Sequence, residues 1–118
     1  MKILVIDDEK QILEMISKML KRDGYEVTAV SNLTDASKEL QKEGWDLIIT
    51  DVMIPYKGGF EMVDDIKSRG NTPCIIITGM SEDILNSTVH KADMIFQKPF
   101  KGTDLLDAVK KLTKEKAL

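Results

Sequence analysis

One cysteine, three prolines and only 5% aromatic residues leave this 118-residue chain few covalent or aromatic staples. The lone Cys74, set in Pro73-Cys74-Ile75-Ile76-Ile77, excludes an intramolecular disulfide and offers no metal cluster. Its expected part is that of a small buried hydrophobe. Long apolar runs are also missing: Ile3 to Ile6, Leu47 to Ile49 and Cys74 to Ile77 are the longest, too short to cross a bilayer. Asp7 and Asp8 interrupt the one apolar stretch near the start, so no secretory leader and a cytoplasmic location are expected. A net charge of −3 and a pI near 5.2 give no electrostatic reason to expect nucleic acid as a partner. Lys110, Lys111, Lys114 and Lys116 are a local exception, read as a solvated face at a helix C-terminus. No repeat, low-complexity tract or Pro/Gly-rich linker divides the chain. The length suits one core, so a single domain over residues 1–118 is expected.

What is present is a fivefold alternation of short apolar runs with helical patterns. Lys2 to Ile6 reads as a buried strand, followed by Ile12, Met15, Ile16, Met19 and Leu20 at the spacing of one helical face, closed by Gly24. A strand near Tyr25 to Val30 leads to a helix with Leu33, Ala36 and Leu40, ended by Gly44. Leu47 to Thr50 is the third strand; a loop with Pro55, Gly58 and Gly59 precedes a helix carrying Phe60, Val63 and Ile66 and stopped by Gly70. Ile75 to Thr78, a short helix over Asp83 to His90, Met94 to Gln97 and a last helix over Asp104 to Thr113 complete the series. Strands without polar alternation, each followed by an amphipathic helix, predict an α/β fold: a doubly wound, five-stranded parallel sheet with helices on both faces. Chemistry in such sheets gathers at the carboxyl ends of the strands, where strand order reverses.

Those ends carry Asp7-Asp8-Glu9, Thr50-Asp51, Thr78-Gly79 and Lys98-Pro99. Taken alone, Asp8 or Glu9 serves equally well as a helix N-cap, Lys98 as half of a surface ion pair and Thr78 as a hydroxyl bonded to backbone. Three carboxylates converging from two strands raise one another's pKa and call for a cation or a task. An all-oxygen pocket suits a hard cation, Mg²⁺ by default with Mn²⁺ as a substitute. Asp8 and Asp51 are the expected direct ligands, Asp7 acts through a water, and a backbone carbonyl just after Asp51, that of Met53, completes the set. With Lys98 and Thr78 added, the pocket becomes a cradle for a phosphoryl group, and a carboxylate can itself be the nucleophile that accepts it. A phosphatase with an aspartyl nucleophile would need a cap and a longer chain. A flavin or dinucleotide carrier would need a Gly-, Ser- or Thr-rich phosphate loop where Asp7-Asp8-Glu9 stands.

Over essentially its whole length the sequence resembles the receiver domains of two-component response regulators. The likeness runs from Met1-Lys-Ile-Leu-Val-Ile-Asp-Asp-Glu through Asp51-Val-Met-Ile-Pro and Gly59, then Ile75-Ile-Ile-Thr-Gly, to Lys98-Pro-Phe. The resemblance implies a flavodoxin-like receiver fold, with Asp51 the phosphorylation site, Asp7 and Asp8 the acid pair, Thr78 the switch hydroxyl, Lys98 the partner lysine and a cis Lys98-Pro99 bond. It also implies a histidine kinase or histidine phosphotransfer protein as phosphodonor and a downstream protein target or relay. Catalysis would be limited to the domain's own phosphorylation and dephosphorylation. Donor docking is expected on Ile12, Met15, Pro55, Pro99 and Phe100, although Ile12 and Met15 are equally candidates for the core. Met53 and Met80 occupy the positions that flank the phosphoryl group in the family, and their apolar side chains imply slow hydrolysis. The alternative is a receiver-like interaction module that works without phosphorylation.

Two features depart from the family pattern. Ile95 stands where an aromatic or histidine is usual, with Phe96 sent by strand parity to the opposite face and expected in the core. Thr78 and Lys98 are twenty positions apart, short of the family spacing, so the helix between the fourth and fifth strands or its entry loop is expected to be shortened. His90 is expected to be a solvent-facing helix residue, not a phosphohistidine.

Overall fold

The computed structural model describes residues 1–51, 70–79 and 92–117. Five strands, β1 (Lys2–Ile6), β2 (Glu26–Val30), β3 (Leu47–Asp51), β4 (Cys74–Thr78) and β5 (Met94–Gln97), form one sheet in the order β2-β1-β3-β4-β5. Every neighbouring pair is parallel. The expected doubly wound sheet is therefore present, and strand order reverses between β1 and β3. The described helices are α1 (Lys10–Arg22), α2 (Leu33–Leu40) and α3 (Gly102–Ala117).

The strands read as apolar runs because both faces of the sheet are covered. Ile3, Val5, Leu47, Ile49, Ile75 and Ile77 pack with Ile16 and Leu20 of α1 and Leu105 and Val109 of α3. The alternate row, Leu4, Ile6, Ile48, Cys74 and Ile76, packs on the other face with Ala36 of α2 and Trp45. Each fully buried Leu or Ile contributes about 1.5–3 kcal/mol through removal from water. Among the described residues eleven large side chains are fully buried, so the core can hold an unfavourable polar cluster at one end of the sheet. Cys74 is buried and unoxidised, as its surroundings imply.

Local signals explain the helix ends. Beyond α1, Gly24 has φ +93°; its N–H donates to the Lys21 carbonyl, while that of Tyr25 reaches back to Leu20. This is a Schellman close, which needs a left-handed residue at that position. α2 starts from Asn32, whose side-chain oxygen accepts the Asp35 N–H at 2.8 Å.

Several expectations need correction. Met15 does not share the buried stripe of α1: it is exposed, and Leu13 takes part in the packing instead, because a residue next to Ile16 is turned about 100° around the helix. α2 ends at Leu40, before Gly44, and α3 extends beyond both predicted ends. β2 begins one residue later than expected, β3 ends one later and β4 begins one earlier. The readings that placed a loop at Pro55, Gly58 and Gly59, a helix with Phe60, Val63 and Ile66, and a second helix over Asp83 to His90 fall outside the described residues.

Candidate functional site

Register brings the acids together. Ile6 pairs with Thr50 across β1 and β3, so Asp7 and Asp51, one step further along their strands, are neighbours. Both continue the rows Ile3, Val5 and Leu47, Ile49, so the period of two turns their side chains to the same face. Asp7 is fully buried and Asp51 nearly so, while Asp8 is exposed. Carboxylate oxygens of Asp7, Asp8 and Asp51 all lie within 4.8 Å of one another.

Lys98 arrives from the edge of the sheet. Thr78 pairs with Gln97, and the Lys98 N–H donates to the Thr78 carbonyl at 2.6 Å, which sets the lysine beside the end of β4. The Lys98-Pro99 bond is cis, as expected. From there Lys98 Nζ donates to Asp51 Oδ2 at 2.9 Å and to Glu9 Oε1 at 2.8 Å. It also stands 3.2 Å from Asp7 Oδ2, an ion-pair contact without hydrogen-bond alignment. Burial alone would lower the lysine's pKa. The hydrogen bonds to Glu9 and Asp51, the ion-pair contact with Asp7 and the charge of Asp51 outweigh it, so the ammonium is held more firmly than in water.

Asp7 tells the complementary story. Its Oδ1 accepts the Glu9 N–H at 2.8 Å, and its Oδ2 is buried without an aligned donor. Burial and, less strongly, the charge of Asp51 push its pKa up, against the lowering pull of the Glu9 N–H and of Lys98. A buried carboxylate oxygen lacking a donor beside two other carboxylates is what a hard cation would satisfy. Octahedral Mg²⁺ holds oxygens at about 2.1 Å, so two direct ligands span at most about 4.2 Å. The three oxygens lie close enough together to share one hydrated cation. The acidic pocket therefore fits Mg²⁺.

Thr78, the last residue of β4, is fully buried. Ile95 and Phe96 part as strand parity requires. Ile95 packs on the α2 side of the sheet, and Phe96 lies on the α1 and α3 side, with its ring centroid 6.1 Å from that of Phe100. Of the expected docking residues, Met15 and Pro99 are exposed and Ile12 and Phe100 half-buried. Met53, Pro55, Met80 and His90 lie outside the described residues.

Glu9 was missed as a site residue. It occupies the N-cap position of α1 but makes no side-chain capping bond, turning to Lys98 instead. The sequence placed Glu9 in the acidic run at the end of β1 and offered it equally as a helix cap, without linking it to Lys98.

The profile of the response regulator receiver domain matches residues 3–110. The chain is 30% identical over 118 residues to a transcriptional regulatory protein, the CpxR homolog of Haemophilus influenzae, covering 98% of this chain and 52% of that protein. With regulatory protein VanRc of Enterococcus gallinarum it shares 32% over 111 residues, 92% of this chain and 48% of the relative. The chain thus spans about half the length of the curated relatives it matches. Among solved structures, a receiver domain protein from Clostridium thermocellum superposes with a TM-score of 0.85 at 32% identity, covering 98% of this chain and 96% of that one. The response regulator TrrA of Thermotoga maritima, in complex with Mg²⁺ and beryllium fluoride, gives 0.83 at 31% identity, covering 94% and 97%. Sheet order, the acidic pocket with its lysine, and these likenesses agree: the chain belongs to the response regulator receiver domains, the phosphoacceptor modules of two-component signalling.

Proposed function

We propose that Asp51 is the phosphoacceptor, taking a phosphoryl group from a phosphohistidine on a kinase or phosphotransfer protein. The observation that carries the reading is the Asp51 carboxylate itself: nearly buried at a strand end, gripped by Lys98 at 2.9 Å and flanked by Asp7 and Asp8. One Asp51 oxygen attacks phosphorus in line, the P–O bond forms as the P–N bond breaks, and the imidazole nitrogen leaves with that electron pair. Lys98 and the Thr78 hydroxyl each hold a different phosphoryl oxygen. Asp8 and Asp51 would hold Mg²⁺ (or Mn²⁺), with Asp7 acting through water, and the ion would supply positive charge against the transferring group.

The donor docks beside the pocket, on the exposed Met15 and Pro99 and the half-buried Ile12 and Phe100, with Pro55 assigned to the same surface by family resemblance alone. The same resemblance is the whole support for Met53 and Met80 as residues that slow hydrolysis and for the Met53 carbonyl as a metal ligand. A single receiver domain acting in the cytoplasm, through a protein target or a relay, completes the proposal. The described helices contain none long and apolar enough to cross a membrane.

Incubation with acetyl phosphate and Mg²⁺ should add the mass of one phosphoryl group. Asp51→Asn should abolish the increase and EDTA should suppress it. An increase that survives Asp51→Asn would place the acceptor elsewhere.

A further inference from the structure

Lys98 has three hydrogens to donate, and in this structure three carboxylate oxygens, of Glu9, Asp51 and Asp7, already stand 2.8, 2.9 and 3.2 Å from its nitrogen. A phosphoryl oxygen that is to be held by this ammonium must take over one of the directions now in use. The three acids differ in what their release would entail. Asp7 and Asp51 are buried, with side chains 0% and 4% exposed, so removing their counter-charge leaves a desolvated carboxylate. The Glu9 side chain is 59% exposed and is rehydrated as soon as it lets go. It also makes the shortest contact of the three, from the first residue of the α1 cap, with no capping bond to keep it there.

We propose that Glu9 is a positioning residue for Lys98: its carboxylate holds the ammonium over the pocket before transfer, in the place of a phosphoryl oxygen, and is displaced when Asp51 is modified. This rests on the reading of Asp51 as phosphoacceptor. The resting contact keeps the lysine from swinging into solvent, and it opposes the phosphorylated form by the strength of one exposed ion pair. Glu9 thereby sets how readily the pocket accepts a phosphoryl group without touching that group itself.

The probe is beryllium fluoride with Mg²⁺, which stands in for the phosphoryl group on a carboxylate oxygen. Glu9→Gln removes the charge and keeps the length. Its affinity for the probe, read by calorimetry at fixed ionic strength, is expected to rise about two- to fivefold, the range of an exposed ion pair. A general relief of negative charge would do the same, so the rate of labelling by acetyl phosphate is measured in a double-mutant cycle with Lys98→Gln, followed long enough to read slow variants. The gain from Glu9→Gln is expected to vanish when Lys98 is absent. Unchanged or weaker binding by Glu9→Gln overturns the proposal, and so does an equal gain in the Lys98→Gln background. If the wild-type chain neither binds the probe nor accepts label, the phosphoacceptor reading falls and this one with it.

Discussion

Lys98 faces three carboxylates with one charge, and the remainder of the imbalance rests on Asp7. Two carboxylates within 4.8 Å repel by about 3 kcal/mol where the effective dielectric is near 20, a cost that Lys98 offsets only in part. Burial above all, and less strongly the charge of Asp51, raise the pKa of Asp7. A carboxyl that holds its proton more tightly folded than unfolded makes the metal-free protein lose stability as pH rises from the ordinary carboxylate value through the raised folded one. Asp7→Asn should therefore stabilise the metal-free protein, by about 1 kcal/mol, the part of one like-charge contact that remains once the lost Lys98 contact is set against it, in urea unfolding with EDTA. The same variant should gain less than the wild type from added Mg²⁺, since the donor-poor Oδ2 is gone. Lower stability in EDTA would mean that the Lys98 contact outweighs the burial of the charge.

At the level of elements, the Gly24 close and the Asn32 cap are set by local sequence, independently of the pocket. Gly24 sits at φ +93°, and a Cβ built there meets nothing within 4 Å. Gly24→Ala should thus cost only the backbone strain of a left-handed residue, about 1 kcal/mol, in chemical denaturation. Mg²⁺ affinity should be unchanged; a fall in it would show that the end of α1 is coupled to the acids at its start. The same independence explains what could be read in advance. All five strands were legible because burial on both faces turns them into plain apolar runs, and Gly24 because only a left-handed close needs it there. The short α2 was not legible, since Gly44 terminates the turn after the helix and not the helix itself. Asp7, Asp8, Asp51, Thr78 and Lys98 were legible because register forces strand-end residues together. The contact between Glu9 and Lys98 was not, because it joins two flexible side chains 89 positions apart, and neither strand period nor helix period reports where such a side chain goes.

Across the whole molecule, the acids and lysine of the pocket come from three strand ends, Asp7 and Asp8 after β1, Asp51 on β3 and Lys98 after β5, and Lys98 is tied by its backbone to Thr78 at the end of a fourth, β4. Those strands are held in one sheet by a shared core, so separating any two of them requires opening the whole. A group bound across their ends is therefore linked to global unfolding and not to local fraying. A ligand that binds only the folded chain stabilises it by RT ln(1 + [L]/Kd), about 2.7 kcal/mol at a hundredfold excess over Kd. Mg²⁺ alone should yield part of this by relieving the carboxylates. Beryllium fluoride without Mg²⁺ should yield almost nothing, because an anion entering three carboxylates is repelled. Together they should stabilise by more than the sum of the two, with the dependence on urea concentration unchanged in slope, since the surface exposed on unfolding is the same. In Asp51→Asn the increment from beryllium fluoride should disappear while the protein stays folded. Additive effects in the wild type would mean that metal and phosphoryl mimic occupy separate sites, and the single cradle built across these strand ends would have to be abandoned.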